Sequence, residues 1–117
     1  MVELTEAEYR DATRQGAIDM ATAPRAREAR YDQCADRVVV DLANGTTFTF
    51  PPHLLQGFGN ATPEQISKVE LSGAGFGLHW DDLDADFTVA GLLAGRFGSA
   101  RYMIERFGPD WDVAAAE

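Results

Sequence analysis

The sequence predicts one small α+β domain, in which a small antiparallel sheet built from hairpins packs against an N-terminal helix and C-terminal helices. The 117 residues, 45% hydrophobic and 25% charged, suit a single domain with one core. Short alternating apolar stretches separated by turn signals fill the middle of the chain, and helix-start signals lie near both ends. We assign residues 1–25 to the N-terminal helical segment, 26–107 to the core and 108–117 to a loose tail.

The N-terminal segment has a well-marked helix start. Thr5 and Glu8 have the spacing of a capping box, in which each side chain accepts a main-chain N–H that the helix leaves unpaired. Leu4 and Tyr9 flank them at the positions of a hydrophobic staple. Pro24 prevents smooth continuation, so we expect the helix to end before it.

Strands are predicted from residue 26 onwards, with a four-residue turn at 33–36. In the next hairpin, Asn44-Gly45 is typical of a two-residue turn. Only a three-residue loop, however, pairs Val40 with Phe48 and keeps the apolar side chains on one face. The sequence therefore predicts a type I turn with Gly45 as a left-handed bulge.

The later elements follow from caps and alternation. Residues 62–65, TPEQ, form a second capping box with proline at the first helical position. Residues 76–80, FGLHW, alternate as a hairpin strand that places Leu78 and Trp80 on the apolar face and His79 on the other.

Two helices are predicted to close the domain. The first is expected to follow the aspartates and to bury Val89, Leu92 and Leu93. The second is expected to begin at Ser99 and to end at Phe107, before a glycine and a proline.

Four aspartates lie within six consecutive positions, 81–86, and raise the question of a site. Three have the D-x-D-x-D spacing that opens a calcium loop, but Phe87 occupies the glycine position and Leu93 the glutamate position. Carboxylates also satisfy the free N–H groups at a helix start and favour its dipole. We therefore interpret Asp86 as the N-cap of the following helix, with Asp84 close enough to help.

The chemical alternative is a metal-dependent hydrolase that uses Asp81, Asp82, Asp84 and His79. No nucleophile motif and no glycine-rich phosphate loop accompanies these residues, and their spacing specifies no metal. His79 is interpreted as a solvent-facing strand residue and His53 as a helix-start residue. No cofactor is predicted.

Trp80, Cys34 and three arginines receive structural interpretations. Trp80 is predicted to be core, with an interface anchor as the alternative. Cys34 is the only cysteine, so no internal disulfide can form, and we expect it to be half-buried near a turn. Arg101 lies midway between Arg96 and Arg106; steps of five turn a helix by about 140°, so the arginines form no single stripe. They are interpreted as solubilising charge, with contact to an acidic ligand or partner as the alternative.

The charge balance bears on possible partners. The net charge is −9; residues 1–30 hold 6 acidic and 5 basic groups, and residues 31–117 hold 13 and 5, a net of −8. Such a body repels phosphate backbones and suits a basic protein. There is no basic leader followed by an apolar run and no apolar stretch of about 20 residues, so we expect a cytoplasmic protein without a membrane span.

The stretches RVVVDLANGTTFTFPP and ELSGAGFGLHWDDLDADFTVAGLLAG resemble the bacterial family called domain of unknown function 2442. The marks are Asn44-Gly45, Trp80, Leu83-Asp84, Asp86 and Leu92-Leu93, and the likeness covers about residues 26–107. The resemblance implies a small α+β module without assigned catalytic residues and an antitoxin-like or regulatory role. Longer relatives carry a basic tail suited to DNA, which the segment GPDWDVAAAE does not match.

These observations predict a small acidic, non-enzymatic, protein-binding or regulatory module that masks a basic partner, such as a small basic toxin. The alternatives are the metal-dependent hydrolase and a nucleic-acid-binding regulator that uses the Arg96–Arg106 region. The expected partner contacts are His79, Asp81, Asp82, Asp84 and Arg101, and the expected structural residues are Gly45, Trp80 and Asp86.

Overall fold

The computed structural model describes residues 23–111. Its elements are β1 (Ala26–Asp32), β2 (Arg37–Leu42), β3 (Thr47–Phe50), α1 (Pro63–Ile66), β4 (Glu70–Ser72), β5 (Gly77–Trp80), β6 (Ala85–Thr88), α2 (Val89–Leu93) and α3 (Ala100–Phe107). Short 3-10 turns lie at Pro52–Leu54, Gly73–Gly75 and Asp81–Leu83. The predicted N-terminal helix, its capping box and tail residues 112–117 lie outside the described residues.

The α+β class with antiparallel hairpins is confirmed, but the single sheet is wrong. The strands form two three-stranded antiparallel sheets, ordered β1-β2-β3 and β4-β5-β6. Pro51 ends β3, because proline has no N–H for a further ladder bond. The following turn and α1 separate the strand groups, so each hairpin pairs only within its own group. None of the described helices is long and apolar enough to cross a membrane.

The β2–β3 hairpin has the predicted register. Val40 pairs with Phe48, as the match of apolar faces requires. Leu42 N donates to Thr46 O at 2.8 Å and closes a three-residue loop, in which Gly45 adopts φ +95°. The three-residue loop predicted from side-chain parity is therefore confirmed, and the two-residue turn is not formed.

Two four-residue loops, 33–36 and 81–84, have a similar backbone conformation. Each ends in a left-handed aspartate, Asp36 at φ 54° and Asp84 at φ 47°, whose N–H donates back three residues at 3.3 Å and 3.1 Å. Aspartate tolerates this conformation better than most residues. The predicted turn at 33–36 is confirmed. Cys34 is exposed rather than half-buried, because it lies in a turn whose residues 33–35 are all exposed.

One apolar core joins the two sheets and the connecting loops. Trp80 is fully buried; its Nε1 donates to Ile66 O at 2.9 Å, and its ring meets Phe58 edge-on at 4.9 Å. Trp80 is therefore core, as predicted, and is not an exposed anchor. The buried cluster comprises Ala26, Val38, Val40, Leu42, Phe50, Leu55, Phe58, Ile66, Leu78, Trp80, Val89 and Leu92.

The helix boundaries mostly follow the predicted caps. Thr62 and Gln65 complete the capping box of α1, and Ser99 caps α3 by accepting from a main-chain N–H. Gly108, at φ +95°, ends α3 as predicted. Leu93 is 44% exposed, contrary to the prediction, because α2 has only 5 residues and buries one side.

Candidate functional site

Asp86 lies inside β6 and does not cap a helix, so its predicted role is wrong. Thr88 takes that role, since its Oγ1 accepts from Gly91 N at 2.9 Å. The chain stays extended two residues longer than expected because β6 pairs with β5, with Phe87 opposite Leu78 in the register. The non-local ladder thus overrides the local preference of a carboxylate for a helix start.

His79 is held between two carboxylates. Its Nδ1 lies 2.8 Å from Asp86 Oδ1, and its Nε2 lies 3.4 Å from Asp81 Oδ1. Carboxylates only accept, so the imidazole donates in both contacts. The hydrogen bond to Asp86, followed by that to Asp81, raises the pKa of His79 above its ordinary value of 6.5. His79 faces away from the apolar side, as predicted, and the contacts favour its protonated form.

The ladder explains why His79 and Asp86 meet. Val89 N donates to Phe76 O at 2.9 Å, which sets the alternation of bonded and non-bonded pairs between β5 and β6. His79 and Asp86 fall at a non-bonded pair, where opposing side chains are closest. The main-chain N–H and C=O of Asp86 therefore point away from β5, towards the outer edge of the sheet.

The other predicted contact residues point elsewhere. Asp82 Oδ2 accepts from Lys68 Nζ at 2.8 Å, and Asp84 ends the left-handed loop. Arg101, on α3, donates to Glu105 at 3.0 Å. The structure thus brings His79 together with Asp81 and Asp86, and it does not draw the predicted residues into one cluster.

The metal-dependent hydrolase would need a group of side chains that can hold a metal ion. Across residues 23–111, no three His, Cys, Asp or Glu side chains are arranged to hold a metal ion.

His53 lies in a 3-10 turn, where its Nδ1 is 3.0 Å from Phe58 O, in agreement with the helix-start interpretation.

An open groove of about 550 Å³ runs beside β6. Six of the residues that line it are Gln56, Asp84, Asp86, Thr88, Arg96 and Ser99.

Gln56 connects two of the loops that line the groove, and it was not predicted from the sequence. Its N donates to Phe97 O at 2.8 Å, and its Oε1 accepts from Ser99 N at 2.9 Å. Gly98 permits this approach, because a Cβ there would overlap the Gln56 side chain. No local signal in the sequence marks Gln56, since the loops that it joins lie far apart along the chain.

Comparisons with known proteins give a family and two similar structures. A family model described as "Protein of unknown function (DUF2442)" matches residues 26–98. A crystal structure of a protein of unknown function from Rhodospirillum rubrum is 52% identical, covers 68% of this chain and 96% of that one, and has a TM-score of 0.66. A solution NMR structure of an uncharacterized protein from Chromobacterium violaceum is 31% identical, with 90% and 95% coverage and a TM-score of 0.68. No curated protein matches the chain.

Proposed function

Since the chain belongs to the family described as Protein of unknown function (DUF2442), from which no activity carries over, we propose from its surface that it is an acidic binding module. Its role is to regulate a basic partner protein by covering the partner's cationic surface. An antitoxin that masks a small basic toxin is the specific form of this proposal.

The exposed charge of residues 81–86, here called the acidic segment, carries the proposal. The side chains of Asp81 and Asp86 are 84% and 71% exposed although both contact His79. One imidazolium faces two carboxylates, so the group keeps a net negative charge when His79 is protonated. Opposite potentials speed the encounter of two proteins and discriminate between partners more than they raise raw affinity.

The same contacts favour binding over acid–base catalysis. Both nitrogens of His79 donate to carboxylates, so neither has a free lone pair with which to accept a proton from a substrate. A general base must reach the proton that it removes. Lys68 engages Asp82 and leaves that carboxylate less available to an incoming group.

The proposal is tested by in-cell cross-linking with the full-length chain, followed by quantitative mass spectrometry. The wild type should enrich one basic protein, and Asp81→Asn/Asp86→Asn should recover at least tenfold less of it. Glu28→Gln/Glu64→Gln is the matched control, because it removes the same charge from two exposed carboxylates elsewhere. The control should behave as the wild type. Recovery of no basic protein, or equal recovery by both double variants, would overturn the proposal.

A further inference from the structure

Among residues 23–111, β6 is an edge strand, and its outer side pairs with no other described strand. It pairs with β5 in the order β4-β5-β6, and it packs extensively only against β5 and α2 among the described elements. The outward N–H and C=O of Asp86 make no hydrogen bond to the described part of the chain. Free main-chain groups at a strand edge are a template for another strand.

The groove lies along this same edge. Asp84, Asp86 and Thr88 line it, together with Gly91 of α2 and residues of the loops at 56–57 and 96–99. The hydrogen bond from Ser99 N to Gln56 Oε1 ties those two loops together. The edge of β6 therefore borders an open groove of about 550 Å³, which leaves room beside the strand for an added chain.

We propose that the basic partner inserts an extended segment into this groove as an additional strand on β6. This inference rests on the proposed function and names its mode of binding. The outward main-chain groups of Asp86 would provide the ladder bonds, and side chains on alternate sides of the segment would provide the selectivity.

Charge complementarity determines the occupant. Asp84 and Asp86 lie on the β6 side and attract basic side chains, whereas Arg96 also lines the groove and repels a uniformly basic segment. The best-fitting segment thus alternates basic with uncharged residues. A second copy of this chain fits poorly, because pairing two β6 strands about Asp86 would place like charges directly opposite each other.

The test uses two hexapeptides of equal charge and the full-length chain. One alternates arginine with threonine; the other alternates Nα-methylarginine with proline and therefore has no main-chain amide N–H to donate to β6. Binding is measured by titration, and amide hydrogen exchange is followed at Asp86 and Phe87 by NMR. Phe87 is the internal reference, because the ladder alternation bonds its N–H to β5 in the free protein.

The arginine–threonine peptide should bind at least tenfold more tightly and slow exchange of the Asp86 amide at least tenfold, with Phe87 unchanged. Asp86→Pro should abolish this binding because it removes the outward N–H, whereas Asp86→Asn should only weaken it. Asp86→Pro should still fold, because proline is tolerated where an edge N–H faces outward. The exchange result on the wild type decides the question if Asp86→Pro does not fold.

Equal binding of both peptides without slowed exchange at Asp86 would overturn strand addition and leave the acidic-surface proposal standing. Binding of neither peptide would also overturn strand addition. The cross-linking result is independent of these outcomes, so failure of the docking mode is distinguishable from failure of the proposed function.

Discussion

The carboxylate of Asp86 lies 2.8 Å from Nδ1 of His79 across the β5–β6 ladder. The two residues are seven positions apart in sequence, and the ladder places them opposite each other. This pairing gives Asp86 a cross-strand role in place of a helix cap. It also leaves the main-chain groups of Asp86 facing outward, where they line up with the groove.

The first prediction concerns the titration of His79. Its folded pKa is raised by Asp86 first and by Asp81 second, so Asp86→Asn should lower it towards the ordinary value of 6.5. NMR titration of the His79 imidazole measures the change, with Glu28→Gln as the control that should leave it in place. An unchanged pKa in Asp86→Asn would contradict the observed pairing.

The same shift predicts a pH dependence of stability. A raised folded pKa means that the native state binds the proton more tightly than the unfolded chain. The stabilisation is fully present below the unfolded pKa and disappears as the pH rises through the folded pKa. The stability advantage of the wild type over Asp86→Asn should therefore be largest in mildly acidic solution and smallest in alkaline solution, as measured by urea unfolding.

The second prediction compares the stability lost on replacing Thr88, the helix cap, with that lost on replacing Asp86, the strand residue. Thr88→Ala removes the acceptor for Gly91 N and should cost about 0.5–2 kcal/mol, while Thr88→Ser should retain most of that stability. Asp86→Ala removes no cap and should cost less than Thr88→Ala above the pKa of His79. Urea unfolding in alkaline buffer gives the comparison. A larger loss for Asp86→Ala would restore the helix-cap interpretation.

The third prediction tests the contact between β1 and the loop before β5. Gly75 and Gly45 have almost equal φ angles, +94° and +95°, so alanine at either position meets similar backbone strain, about 1–2 kcal/mol. A Cβ at Gly75 would also overlap the main-chain oxygen of Ala26, whereas Gly45 has open space. Gly75→Ala should therefore cost at least about 1 kcal/mol more than Gly45→Ala in urea unfolding. Equal losses would show that β1 does not pack against this loop.

Local patterns predicted much of the fold. The pairing of Val40 with Phe48 followed from side-chain parity, and the caps at Thr62 and Ser99 followed from residue type and spacing. The alternation that buries Leu78 and Trp80 was also sufficient to orient β5. These features depend on interactions between residues close in sequence, or on a single hairpin.

The failures have non-local causes. The segment around Asp86 suits either a helix start or a strand, since short apolar runs do not distinguish them, and pairing with β5 decided the outcome. The division into two sheets likewise depends on which hairpins meet in space. Gln56 and Ser99 are 43 residues apart, so the groove that they help to form left no pattern in the sequence.

The central claim is that the acidic segment binds a cationic partner, and the affinity of the full-length chain for the arginine–threonine hexapeptide tests it most directly. Isothermal titration should show binding that weakens as salt is added, because exposed charges are screened. Asp81→Asn/Asp86→Asn should weaken binding at least tenfold, and Glu28→Gln/Glu64→Gln should leave it unchanged. Binding of equal strength by the wild type and Asp81→Asn/Asp86→Asn would contradict the claim.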